Sequence, residues 1–160
     1  MEDVRDILRI PNREVISVTR ALAGLDLEKI DTQQCTEDKY TTVMIHTRGF
    51  FLADILCEIN ERMCDSIISG MYGGGMPPDS ERPLYLNEYM NIVCGRIVSK
   101  VNTLTGSVSK LSTPEYCGAA EPDLEINESM HCIRLAYQNG QGLIRFIIQF
   151  DFQQNGGEDI

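Results

Sequence analysis

The chain has 160 residues, 42% of them hydrophobic, and a formal net charge of −10. Its length suits one domain with a sizeable core. A surface this acidic repels phosphate backbones and anionic lipid, which argues against nucleic-acid binding and docking on anionic membranes, though not against a phosphoprotein partner. No apolar run approaches the roughly 18 residues of a membrane span, and the charged start MEDVRDILRIPNREV lacks the apolar stretch of a signal peptide. Six cysteines have no Cys-x-x-Cys spacing, and His46 and His131 lie far apart, so no zinc pattern results. The thiols read as reduced, several of them buried as small hydrophobes, in a cytoplasmic protein.

Taken in order, Val4, Ile7 and Leu8 have helical spacing, and Pro11 is expected to end that helix. Residues 1–11 then form an N-terminal extension of a single domain spanning 1–160. Asn12 is expected to cap a second helix carrying Val15, Val18, Leu22 and Leu25, with Gly24 near its end. Leu25 to Lys39 is polar without a sustained period and reads as a connecting loop. Tyr40 to Ile59 reads as a hairpin: TTVMIH, a turn at Arg48-Gly49, then FFLADILCEI, which Asp54 interrupts. Asn60 is expected to cap a helix through Met71, with Met63, Ile67, Ile68 and Met71 on one side. Tyr72 to Asp79 contains three consecutive glycines, but no Lys-Ser/Thr follows, so it reads as a connection rather than a phosphate cradle.

Leu84 to Leu104, LYLNEYMNIVCGRIVSKVNTL, is the organising helix. With Glu88 at zero on the wheel, Leu86, Met90, Val93, Ile97, Val101 and Leu104 fall within about 40° of the opposite pole. Asn91, Gly95, Ser99 and Asn102 fall within about 60° of Glu88. The helix therefore has a packed back and a polar or small front. Glu88 and Asn91 stand at i and i+3, stacked on that front. Beyond Gly106, VSKLSTPEYCG and DLEINESM fit one or two short strands. ESMHCIRLAY and LIRFIIQFD fit a hairpin around Asn139 to Gly142, with Ile144, Phe146, Ile148 and Phe150 on one face. Residues 153–160 form a polar tail.

Glu88-x-x-Asn91 followed by Gly95 resembles the single-site chemotaxis phosphatases of the CheC/CheX/FliY family, CheX most of all. SKLSTPEYCG resembles that family's Ser/Thr-Pro strand, and the closing hairpin fits its end. The resemblance covers roughly Thr41 to Phe152. Glu-x-x-Asn alone would occur by chance about 0.4 times in a chain of this length, so the weight rests on wheel position, glycine and element order. The resemblance implies an α/β fold of the α+β type, a pseudo-symmetric single domain in which an antiparallel sheet packs with helices. Two-site members carry a further Glu-x-x-Asn on their earlier helix. Here that place reads Glu61-Arg62-Met63-Cys64, so one active surface is expected. Two-site members also tend to carry Asp or Ser four residues before the glutamate, where this chain has Leu84.

Glu88-x-x-Asn91 offers one carboxylate and one amide, with no nucleophile, histidine base or metal-ligand set. An amide both accepts and donates hydrogen bonds, so it can hold a water in line with a phosphorus atom. The resemblance implies hydrolysis of the aspartyl phosphate of a CheY-type receiver domain. Asn91 would orient the attacking water, and Glu88 would pair with the receiver's active-site lysine. The protein would need no cofactor or metal of its own, the receiver supplying Mg²⁺. Gly95 and Ser99 would belong to the docking surface, and CheX-like proteins suggest a homodimer. On the residues alone, Glu88 and Asn91 read first as the ordinary solvated face of an amphipathic helix, and it is the resemblance that favours a site. A non-catalytic module that binds receivers, or a structural domain associating through its sheet, remains the alternative.

Overall fold

The computed structural model describes residues 4–32, 39–120 and 124–153. The first element is a single helix, α1 (Val4–Ala23), with Pro11 inside it. The expected break at Pro11 does not occur. Proline removes one helical hydrogen bond and costs about 3 kcal/mol in a helix interior. Here Ile7, Pro11, Val15 and Val18 form one buried stripe, and that burial offsets the penalty. Asn12 therefore caps nothing. Its Oδ1 accepts a hydrogen bond from the Tyr137 hydroxyl at 2.6 Å.

Residues expected to be loop contain a short strand, β1 (Glu28–Ile30). β2 (Thr41–Gly49) and β3 (Phe51–Ile59) form the expected hairpin, turning at Gly49 and Phe50, one residue later than the sequence suggested. Asp54 does not interrupt β3. It lies opposite His46 in register, on the sheet face away from the helices, and its Oδ1 is 2.6 Å from His46 Nδ1.

Asn60 caps α2 (Glu61–Tyr72) as expected: its Oδ1 accepts from Met63 N at 3.0 Å and from Leu143 N at 2.9 Å. After a short 3-10 turn at Asp79–Glu81 comes α3 (Arg82–Thr105), closed by Gly106 in the left-handed region at φ 68°. β4 (Ser109–Leu111) and β5 (Glu115–Gly118) follow, then β6 (His131–Asn139) and β7 (Gly142–Phe152). Leu124 to Met130 contains no strand, so DLEINESM contributes none among the described residues.

The seven strands form one antiparallel sheet in the order β1-β6-β7-β3-β2-β4, with β5 also paired to β2. One face is covered by the three helices. Val43, Ile45, Ile55, Cys57, Phe146 and Ile148 lie on that face and are fully buried. The alternation expected in β7 is present: Ile144, Phe146, Ile148 and Phe150 are all 0% exposed. This is the α+β arrangement expected from the sequence, and the apolar back of α3 lies in its core.

Candidate functional site on the exposed face of the third helix

The buried arc of α3 is wider than the wheel suggested. Leu86, Met90, Val93, Cys94, Ile97 and Val101 are buried as expected, but so are Tyr89 and Val98, which lie on the flanks. The reason for Tyr89 is α1. The Thr19 hydroxyl donates to Val15 O at 2.6 Å, which leaves it to accept from the Tyr89 hydroxyl at 2.7 Å. Burial pushes the Tyr89 pKa up, so the phenol stays protonated and remains a donor.

Further contacts fix the helix along its length. Arg82 pairs with Asp65 of α2 at 2.8 Å, and Arg96 reaches the buried Glu14 of α1 at 3.4 Å. Asn102, on the polar front of the wheel, donates from Nδ2 to Ser109 O at 3.2 Å and so ties α3 to β4. The back is thus held by two helices and a strand. A front residue on such a helix keeps its position without support from its own contacts.

Glu88 and Asn91 are both exposed, one turn apart on α3. Neither side chain has a hydrogen-bond or ion-pair partner among the described residues. Their i, i+3 spacing places the two Cβ atoms about 5–6 Å apart, within reach of a single ligand group. Ser99 is exposed further along the same front. Gly95 is half-buried, and a Cβ built there would meet only Leu111 Cδ1, at 3.7 Å. That is ordinary contact distance, so no packing of this chain requires a glycine at that point. Gly70 of α2 differs sharply: a Cβ there would lie 2.2 Å from Ala23 O, so this glycine lets α2 touch the end of α1.

Leu84, one turn before Glu88, is 65% exposed and belongs to the same front. Sequence reasoning noted this position only as a departure from two-site relatives. Exposure cannot be read from a leucine at the first turn of an amphipathic helix. The earlier helix offers no second site of this kind: Glu61 is exposed, but Cys64 is 1% exposed and faces the core. No group of three or more His, Cys, Asp or Glu is placed to hold a metal ion among the described residues. No helix among them is long and apolar enough to cross a membrane.

Cys57, Cys64 and Cys94 are buried, as the sequence suggested for several thiols, whereas Cys132 is exposed; Cys35 lies outside the described residues. Burial pushes the Cys64 thiol up to about 11, and Cys57 and Cys94 are raised for the same reason. His46 is held by Asp54, and His131 stacks on Phe150 with ring centroids 5.1 Å apart.

The arrangement is that of an α+β domain with the CheC-like fold, shared with CheX. CheX from Vibrio vulnificus superposes with a TM-score of 0.77 at 15% identity, covering 94% of this chain and 100% of that one. A CheC-like superfamily protein from Shewanella sp. PV-4 gives 0.77 at 16% identity, covering 91% and 97%. The CheX-CheY-BeF3-Mg²⁺ complex from Borrelia burgdorferi gives 0.70 at 14% identity, covering 89% and 96%. No family model and no curated protein matches the chain by sequence.

Proposed function

We propose that this protein is a phosphatase that hydrolyses the aspartyl phosphate of a CheY-type receiver domain in chemotaxis or two-component signalling. The observation that carries the reading is the exposed Glu88 and Asn91 pair, without a partner among the described residues, on a helix fixed from behind. The fold-related CheX of Borrelia burgdorferi was solved in complex with CheY, BeF3 and Mg²⁺, and this supports a receiver as partner.

In this reading α3 docks across the phosphorylated site of the receiver. The Asn91 carboxamide oxygen accepts a hydrogen bond from a water and aims its oxygen at phosphorus. The water oxygen bonds to phosphorus as the bond from phosphorus to the receiver's aspartate oxygen breaks. The products are inorganic phosphate and a free aspartate carboxylate, and the water's proton passes to the phosphate or solvent. Positioning and electrostatics carry most of such a reaction, so one well-placed amide suffices. Mg²⁺ comes from the receiver. Glu88 pairs with a receiver lysine and sets the register, while Gly95 and Ser99 lie under the partner. The protein acts in the cytoplasm, as a homodimer.

Single-turnover dephosphorylation of a labelled receiver at several enzyme concentrations tests the proposal. Asn91→Ala should slow hydrolysis by about 10²-fold or more with binding almost unchanged. Glu88→Lys should weaken receiver binding strongly by like-charge repulsion, and Glu88→Ala less so. Circular dichroism should show all three folded, since both residues are exposed. An Asn91→Ala protein as fast as wild type would end the phosphatase reading and leave a receiver-binding module in its place.

A further inference from the structure

The first helix presents a second surface, on the side away from α3. Leu8, Arg9, Arg13 and Ile16 of α1, with Lys29 of β1 and Leu135 of β6, line a groove of about 780 Å³. Lys29 lies opposite Tyr137 in register, so both side chains project on the helix-covered face of the sheet. Arg20 stands at the far end, paired with Asp26 at 2.8 Å. Arg9, Arg13 and Lys29 are exposed and have no ion-pair partner among the described residues.

The chain has 24 acidic residues against 14 basic ones, yet no carboxylate among the described residues lines this groove. The groove follows α1 from Leu8 to Ala21, a rise of about 20 Å. Its cations are spread along that length and alternate with apolar side chains. A small anion would use one or two of these cations and none of the leucines. A nucleic acid would meet repulsion from the rest of the surface.

We infer that this groove docks an acidic, amphipathic segment of a partner protein, about three helical turns long. Carboxylates of the segment face Arg9, Arg13 and Lys29, and its apolar side chains lie on Leu8, Ile16 and Leu135. The surface is independent of the receiver-facing front, because α1 meets α3 through Glu14 and Thr19 on its other side.

The probe is a fluorescein-labelled 12-residue helical peptide with Glu on one face and Leu on the other, beside a copy with Gln in place of Glu. Fluorescence anisotropy with the full chain should show saturable binding of the Glu peptide and little of the Gln peptide. Raising salt from about 50 to 300 mM should weaken it, because the charges are exposed. Arg9→Glu/Arg13→Glu should weaken binding about tenfold or more. Lys29→Glu, on a different element, should weaken it several-fold, which keeps the test valid if the double variant misfolds. Glu88→Lys should bind as wild type. No binding, equal binding by the charge-reversed proteins, or equal binding of the Gln peptide would overturn the inference. So would full displacement by inorganic pyrophosphate, which would mark a small-anion site. A wild-type dimer that Arg9→Glu/Arg13→Glu dissociates would mark an interface between copies and overturn it too.

Discussion

Replacing Gly95 with alanine should make the protein more stable and, on the proposed function, a poorer partner for a receiver domain. Glycine in a helix interior is less favourable than alanine by about 0.8–1.0 kcal/mol. Gly95 is well inside α3, and its Cβ position meets only Leu111 Cδ1, at 3.7 Å. No clash offsets the gain, so Gly95→Ala should add about 1 kcal/mol of stability. In a domain of this size that raises Tm by about 2–4 °C. If the receiver backbone approaches the front at this point, the added methyl group lies between the two surfaces. Receiver affinity should then fall while the chemical step on bound receiver slows less. Differential scanning calorimetry gives the first number, and titration of labelled receiver with single-turnover kinetics gives the second. A lower Tm would show that the glycine serves packing inside the chain. A higher Tm with unchanged receiver affinity would show that Gly95 plays no part in docking.

Gly70→Ala should behave oppositely, losing about 1–3 kcal/mol or more in urea denaturation, because its Cβ would lie 2.2 Å from Ala23 O. Stability should fall above about pH 9, because burial favours the neutral thiol of Cys64 in the folded state. That contribution is complete below the ordinary thiol value of 9.0 and is lost as pH rises through about 11. Cys64→Ala should reduce the slope of stability against pH in that window by up to about 1.4 kcal/mol per unit. Light scattering at tens of micromolar should show twice the chain mass: β1 pairs with Ala136 to Gln138, and among the described residues no strand covers the β6 edge from His131 to Leu135, which could take a second sheet. A species of single-chain mass would remove the dimer.

The long periodic elements were legible in the sequence because burial imposed their period. α3 runs from Arg82 to Thr105 where the pattern indicated Leu84 to Leu104, and the apolar face of β7 is as expected. What stayed hidden depended on neighbours. Pro11 is tolerated because α1 is buried on both sides of it, a fact that lies in the tertiary structure rather than in local propensity. β1 has three residues and a half-exposed pattern, and only pairing with β6 makes it a strand. Tyr89 and Val98 fall outside a single apolar stripe because α3 is packed on its flanks as well as on its back. Asn102 looked solvated because nothing in the sequence places Ser109 O beside it.

The front of α3 unites several features that do nothing for the fold. Glu88 and Asn91 have no partner among the described residues, and Leu84 leaves a large apolar side chain 65% exposed. Gly95 costs the helix about 1 kcal/mol where alanine would fit. Each alone is ordinary, since single exposed leucines and unpaired surface carboxylates are common. Their position on one narrow strip is not explained by packing, because the rest of α3 is held by Tyr89, Arg96 and Asn102 without them. A docked partner would account for all of them together. It would cover Leu84, meet the Glu88 carboxylate with a cation, lie close over Gly95 and receive the Asn91 amide. That is why Leu84→Ser joins the test: it should leave Tm nearly unchanged and weaken receiver binding. An unchanged affinity would separate Leu84 from the strip and confine the docking surface to Glu88, Asn91 and Gly95.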